Sequence, residues 1–64
     1  MSNPTFDEMI ACVRRELALR KRVYPRWVRS DRMSQQQADH EIACMQAIHD
    51  HLMIAAGKRE QNLL

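Results

Sequence analysis

Glycine is nearly absent from this sequence: Gly57 is the single glycine in 64 residues, and proline occurs only at positions 4 and 25. Without turn residues at regular intervals or a long alternating β-branched run, the chain does not predict strands. Two cysteines are too few for a disulfide framework. No apolar stretch approaches the roughly 18 residues of a membrane span, and the polar, acidic N-terminus predicts no signal peptide. These absences predict an all-α, cytoplasmic protein with no membrane partner.

The sequence T-F-D-E at residues 5–8 predicts the start of a first helix. Thr5 and Glu8 have the spacing of a capping box, in which each side chain accepts a hydrogen bond from the backbone amide of the other residue. The residues that follow favour helix, and the helix is expected to span about 6–23. Pro25 predicts its end, because proline disfavours helical geometry at the residue before it.

A tight corner is predicted between this helix and the next. Pro25 fits the first position of a short helix over about 25–30. Asp31 is then expected to adopt the left-handed conformation that ends this short helix, because Asp tolerates positive φ better than most residues.

The sequence S-Q-Q-Q at residues 34–37 predicts the start of a second long helix. It is a second capping sequence, and the helix is expected to span about 35–56 and to stop at Gly57. A frayed tail at 58–64 completes a single domain over residues 1–64. The predicted fold is an antiparallel helical hairpin with a short helical corner.

Apolar residues at helical spacing predict which faces of the two helices pack together. A turn of 100° per residue places one apolar stripe on each helix. His49 falls inside the stripe of the second helix. The predicted core consists of Phe6, Ile10, Val13, Leu17 and Tyr24 in the first helix and Ala38, Ile42, Met45, Leu52 and Ala56 in the second.

Each helix also carries a second apolar stripe on the same flank. Two helices alone cannot bury this additional surface, and each large aliphatic side chain left in water forgoes roughly 1.5–3 kcal/mol of stabilisation. The alternative is that long polar neighbours such as Glu16 or Gln37 cover it. The stripe predicts a homo-oligomer, a dimer or tetramer that forms a helical bundle, with an interface of Met9, Cys12, Leu19, Val23, Cys44, Ile48 and Ala55.

Positive charge is concentrated around the corner. Residues 14–32 contain eight of the ten basic residues but only two of the eight acidic ones. Arginine clustered with aromatic residues is typical of phosphate binding. The alternative is that the aromatics close the end of the hairpin and the arginines are simply solvated. The predicted anion site, for nucleic acid or a nucleotide, consists of Arg22, Tyr24, Arg26, Trp27, Arg29 and Arg32.

The sequence gives little indication of catalysis or of a cofactor. His40, Cys44 and His51 share one face of the second helix, but H-x3-C lacks the second histidine of a zinc protease motif. Surface histidines beside a small thiol are the favoured interpretation. Cys12 and Cys44 are expected at similar heights in the hairpin, where packing is favoured over a disulfide. The prediction is a protein that is not an enzyme and needs no metal.

The segments F-D-E-M-I-A-C-V-R-R-E-L-A-L-R-K-R-V-Y-P-R-W-V and R-M-S-Q-Q-Q-A-D-H-E-I-A-C-M-Q-A-I resemble short proteins of unassigned function encoded in tailed phages and prophages of proteobacteria. The most distinctive part is R-V-Y-P-R-W-V, and the resemblance covers about residues 5–52. It implies a small accessory protein, made inside a bacterial host, that binds a host or phage macromolecule, with counter-defence or host takeover as its purpose. The alternative function is an anion-binding module.

Overall fold

The computed structural model describes residues 2–58, which form two α-helices. Helix α1 spans Phe6–Arg29 and helix α2 spans Gln35–Ala55. The two helices pack against each other in opposite directions, joined by residues 30–34. Residues 2–58 contain no strand, and the predicted helical hairpin is confirmed. Of the predicted frayed tail, residues 59–64 lie outside the described residues.

Pro25 lies inside α1 and does not end it. The predicted break at Tyr24 and the predicted separate helix at 25–30 are therefore wrong, because these residues form the last turns of one continuous helix. Proline removes one backbone hydrogen bond and disfavours the helical conformation of its neighbour, but it does not forbid it. Tyr24 and Trp27, on either side of Pro25, stack with ring centroids 5.5 Å apart, which favours the helical geometry.

The predicted helix starts are present. At the start of α1, the amide of Thr5 donates to Glu8 Oε1 at 2.8 Å and the amide of Glu8 donates to Thr5 Oγ1 at 3.1 Å, forming the capping box. At the start of α2, Ser34 Oγ accepts from the amide of Gln37 at 3.0 Å. Only this half of the second capping box forms.

Both helices end in the same hydrogen-bonded motif. After α1, the amide of Asp31 donates to the Val28 carbonyl and that of Arg32 to the Trp27 carbonyl. After α2, the two residues that follow Ala56 repeat this pattern of donation. This is the Schellman arrangement, which requires positive φ at its turning residue. Asp31 has φ 61° and Gly57 has φ 72°, as the sequence predicted.

The core of the hairpin is small. Among the described residues, only Ile10, Leu17 and Ala38 are buried, at 4%, 9% and 2% exposure. Other predicted core residues are half-buried, and Phe6 is 44% exposed. In its thinnest direction the molecule extends 14 Å, which is close to the thickness of one helix with its side chains. The hairpin is thus a single layer of helices, whereas stable domains usually have two.

Candidate functional site

Polar contacts between α1 and α2 lie on both sides of the apolar core stripe. On one edge, Arg14 Nε donates to His49 Nε2 at 3.3 Å. On the other edge, Arg20 Nη1 donates to the backbone carbonyl of Glu41 at 2.9 Å. Six residues of α-helix turn through about 600°, so these two arginines lie on opposite edges of the core stripe. The side of the helix on which any other residue lies then follows from its rotation relative to these two arginines.

The predicted oligomer interface lies on the Arg20 edge of the hairpin. Leu19 and Val23 flank Arg20 on α1, and Cys44 and Ile48 follow Glu41 on α2 at helical spacing. Leu19 is 42% exposed and Ile48 is 47% exposed. We call this surface the apolar flank, and it consists of Met9, Cys12, Leu19, Val23 and Trp27 of α1 with Cys44, Ile48 and Ala55 of α2.

A groove of about 220 Å³ runs along the α1 part of the apolar flank. Trp27 forms one end of the groove and is 38% exposed. Small-molecule sites usually enclose about 300–1,000 Å³, so this groove has the size for a protein side chain rather than for a metabolite. Its lining residues are Glu16, Leu19, Arg20, Val23, Tyr24 and Trp27.

Arg20 lies beside the groove and contacts two of the residues that line it. Its Nε donates to Glu16 Oε2 at 3.0 Å, and its guanidinium carbon lies 5.9 Å from the centroid of the Tyr24 ring. The hydrogen bond with Glu16 raises the pKa of Arg20 above its ordinary value. The groove therefore has a permanent positive charge at Arg20, paired with the carboxylate of Glu16.

Four arginines form a row on the outer side of α1. Arg15, Arg22, Arg26 and Arg29 are all exposed and follow one another at intervals of seven, four and three residues. These intervals bring them to one side of a continuous helix. Because α1 does not break at Pro25, the predicted basic corner is in fact this extended row, which we call the basic face.

The structure separates the arginines of the predicted anion site from its aromatics. Tyr24 and Trp27 stack on each other at the groove. The helical rotation places them roughly 100–160° away from Arg22, Arg26 and Arg29. Arg32 lies in the exposed turn after α1. A site in which one nucleotide contacts both the aromatic rings and the basic face is therefore not assembled within one chain.

Both cysteines, His40 and His51 are at the surface, whereas His49 is half-buried. Cys12 and Cys44 are exposed free thiols. The contact between Arg20 and Glu41 places Cys44 near the height of residue 17 or 18, roughly 8 Å along the axis from Cys12, so the expectation of similar heights is wrong. His40 Nε2 lies 3.5 Å from Cys44 Sγ. Within residues 2–58, no three side chains of the metal-binding types come together.

Comparisons with protein-family models, with curated proteins and with solved structures found no match to this chain. Neither α1 nor α2 is long and apolar enough to cross a membrane.

Proposed function

We propose that this protein is a non-enzymatic binding protein that self-associates through the apolar flank and, once assembled, binds a host or phage macromolecule. The observation that carries the proposal is the combination of a very small core with a large exposed apolar surface. Only three side chains in residues 2–58 are buried, whereas Leu19, Trp27, Ile48 and others remain exposed on one flank.

A second copy of the chain is well suited to cover this flank. The hairpin is a single layer, and a second hairpin packed on the apolar flank supplies the missing layer of a helical bundle. Each large apolar side chain that becomes buried contributes about 1.5–3 kcal/mol. Since small domains with a modest core usually need a partner, disulfide or metal, a dimer or tetramer is the proposed folded unit.

The character of the groove supports binding rather than catalysis. Its lining is mostly apolar and aromatic, and its two charged residues, Glu16 and Arg20, are bonded to each other. A side chain such as Leu or Met from a partner would fit a groove of about 220 Å³. The cellular context, an accessory protein in an infected or lysogenic bacterium that acts in counter-defence or host takeover, rests on the sequence resemblance alone.

Light scattering tests the self-association. We expect the wild-type protein to form a discrete dimer or tetramer at micromolar concentration. Ile48→Glu and, separately, Leu19→Glu place a charge on the apolar flank and should shift the protein to monomer. The matched control is Ala18→Glu, which introduces the same charge at an exposed position beside the basic face.

A wild-type protein that remains monomeric up to about 100 µM would overturn the proposal. So would variants of Leu19 and Ile48 that assemble as well as Ala18→Glu. Circular dichroism at each concentration distinguishes a folded monomer from an unfolded chain, because a variant that loses its partner is expected to lose helicity on dilution.

A further inference from the structure

We propose that the basic face of α1 is a binding site for the phosphate backbone of nucleic acid and that it does not read base sequence. The site consists of Arg15, Arg22, Arg26 and Arg29, all of them exposed. At a rise of 1.5 Å per residue, the row is about 21 Å long. It goes beyond the proposed self-association, because the row borders the apolar flank at Leu19 but contains none of the residues of that flank.

Within residues 2–58, the arginines of the basic face form no ion pair with an acidic side chain. In the described part of the chain, the ion pairs of Lys and Arg involve Arg20 and Lys58 but none of these four arginines. The carboxylate of Glu16 is already bonded to Arg20. The basic face therefore presents its guanidinium groups to solvent.

Helix stability explains only part of this arrangement. Arg26 and Arg29 lie in the last turn of α1, where positive charge interacts favourably with the helix dipole. Arg15 and Arg22 are too far from the helix end for that effect. Moreover, Arg22 and Arg26 are four residues apart, and like charges at this spacing destabilise a helix. An anion that bridges the row would relieve this repulsion.

The chemistry of the row favours phosphate. A guanidinium group donates two parallel hydrogen bonds to the oxygens of one phosphate, which lysine does not. One strand of duplex DNA presents a phosphate about every 3.4 Å along its axis. Because the strand winds around that axis, a straight row of about 21 Å is long enough to contact several of these phosphates but does not follow one strand.

The residues between the arginines disfavour other partners. The positions along this side of α1 include Ala11 and Ala18. Leu19 lies at the border between the basic face and the apolar flank, where the proposed self-association would cover it. A membrane-surface helix inserts large apolar residues beside its basic ones, and protein hot spots centre on buried aromatic or aliphatic anchors. Tyr24 and Trp27 line the groove, so the basic face has no aromatic ring for base stacking. Phosphate contacts alone remain, and these carry no sequence information.

Fluorescence anisotropy with a labelled duplex of 20 base pairs of mixed sequence tests the proposal. We expect a dissociation constant of roughly 1–100 µM, weakening steeply with salt. The double variant Arg22→Ala/Arg26→Ala should weaken binding about 10-fold to 100-fold and reduce the salt slope by roughly two. Duplexes of unrelated sequence should bind equally well.

The matched control is Lys21→Ala/Lys58→Ala, which removes the same charge away from the basic face and should change the affinity by less than about 3-fold. Equal losses in the two double variants, or no binding by the wild-type protein at 50 mM salt and 100 µM, would overturn the proposal. Vesicles rich in phosphatidylserine and the acidic polymer polyglutamate serve as rival probes. If either binds as tightly as the duplex, the site is not one for nucleic acid.

Light scattering on Arg22→Ala/Arg26→Ala separates this proposal from that of self-association. The variant should assemble like the wild-type protein, because neither arginine lies on the apolar flank.

Discussion

Arg20 joins the two helices by donating from Nη1 to the main-chain carbonyl of Glu41 at 2.9 Å, while its Nε donates to Glu16 at 3.0 Å. One side chain thus bridges α1 and α2 and is only 19% exposed. A bond to a carbonyl does not depend on the charge of the Glu41 carboxylate, which lies farther away at 3.7 Å. The position of α2 against α1 is therefore defined by a main-chain contact at this edge.

Replacing Arg20 by Ala should lower the free energy of unfolding by about 1 kcal/mol, because charge-assisted hydrogen bonds at a partly exposed site contribute modestly. Arg20→Lys should recover only part of the loss, since lysine cannot hold both acceptors in the same geometry. Urea unfolding followed by circular dichroism, at one protein concentration, measures both. Arg22→Ala is the control and should change the stability by less than about 0.5 kcal/mol. Equal effects at positions 20 and 22 would mean that the bridge does not stabilise the fold.

Replacing Pro25 by Ala should stabilise the protein. Pro25 lies inside α1, where it has no amide hydrogen to donate to the Lys21 carbonyl, and alanine favours a helix interior over proline by about 3 kcal/mol. An increase of about 1–3 kcal/mol in the free energy of unfolding is expected from urea titration. Pro4→Ala, outside the helix, should have little effect. A loss of stability in Pro25→Ala would show that the proline ring makes a contact more valuable than the missing hydrogen bond.

Substitutions of Asp31 should change the stability according to how well each residue tolerates a positive φ. With φ 61°, it occupies a conformation that costs most residues with a Cβ atom about 1 kcal/mol, and Asp less because its short polar side chain can hydrogen-bond to the nearby backbone. Asp31→Gly should therefore leave the melting temperature unchanged or raise it, and Asp31→Ala should lower the stability by about 1 kcal/mol. Asp31→Asn is the conservative control, since Asn tolerates this conformation. If the alanine variant matched the asparagine variant, strain at this turn would not limit stability.

The two thiols should report on assembly. Cys12 and Cys44 are exposed in the single chain, and both lie on the apolar flank. Their rate of reaction with an aromatic disulfide reagent should fall several-fold as the protein concentration rises through the range of assembly. Ala18→Cys in a background of Cys12→Ala and Cys44→Ala places a thiol outside the flank, and its rate should not depend on concentration. Concentration-independent rates at the native cysteines would contradict an interface on this flank.

Short-range chemistry made the starts of both helices and their left-handed capping residues predictable. The capping box of Thr5 and the left-handed residues Asp31 and Gly57 are specified by a few neighbouring side chains. The end of α1 was not predictable in this way, because the cost of Pro25 competes with stacking around it and with a good C-terminal cap at Asp31. The sequence shows that Pro25 disfavours helix, but the contacts that offset this cost are visible only in the folded structure.

That one error spread to the candidate site. Ending α1 at residue 23 moved the centre of the corner toward Val28, which made Cys12 and Cys44 seem level with each other. The predicted break also left the rotation between Arg22 and the residues of the short helix undefined, and the arginines and aromatics were grouped as one anion site by their closeness in sequence. In the continuous helix they point to different sides. The apolar flank, by contrast, was predictable from spacing within each helix, although its role as an oligomer interface stays a prediction.

The connection between α1 and α2, residues 30–34, also affects how quickly the protein reaches its working form. Closing a loop of about ten residues takes 10–100 ns, and helical folds rich in local contacts form within microseconds to milliseconds. If the hairpins pair as proposed, two chains at micromolar concentration, which associate with a typical rate constant of about 10⁵–10⁷ M⁻¹ s⁻¹, need longer than that. Refolding should therefore occur in two phases, a fast phase independent of concentration in which hairpins close and a slower second-order phase in which they pair. Refolding at a lower protein concentration should then slow only the second phase.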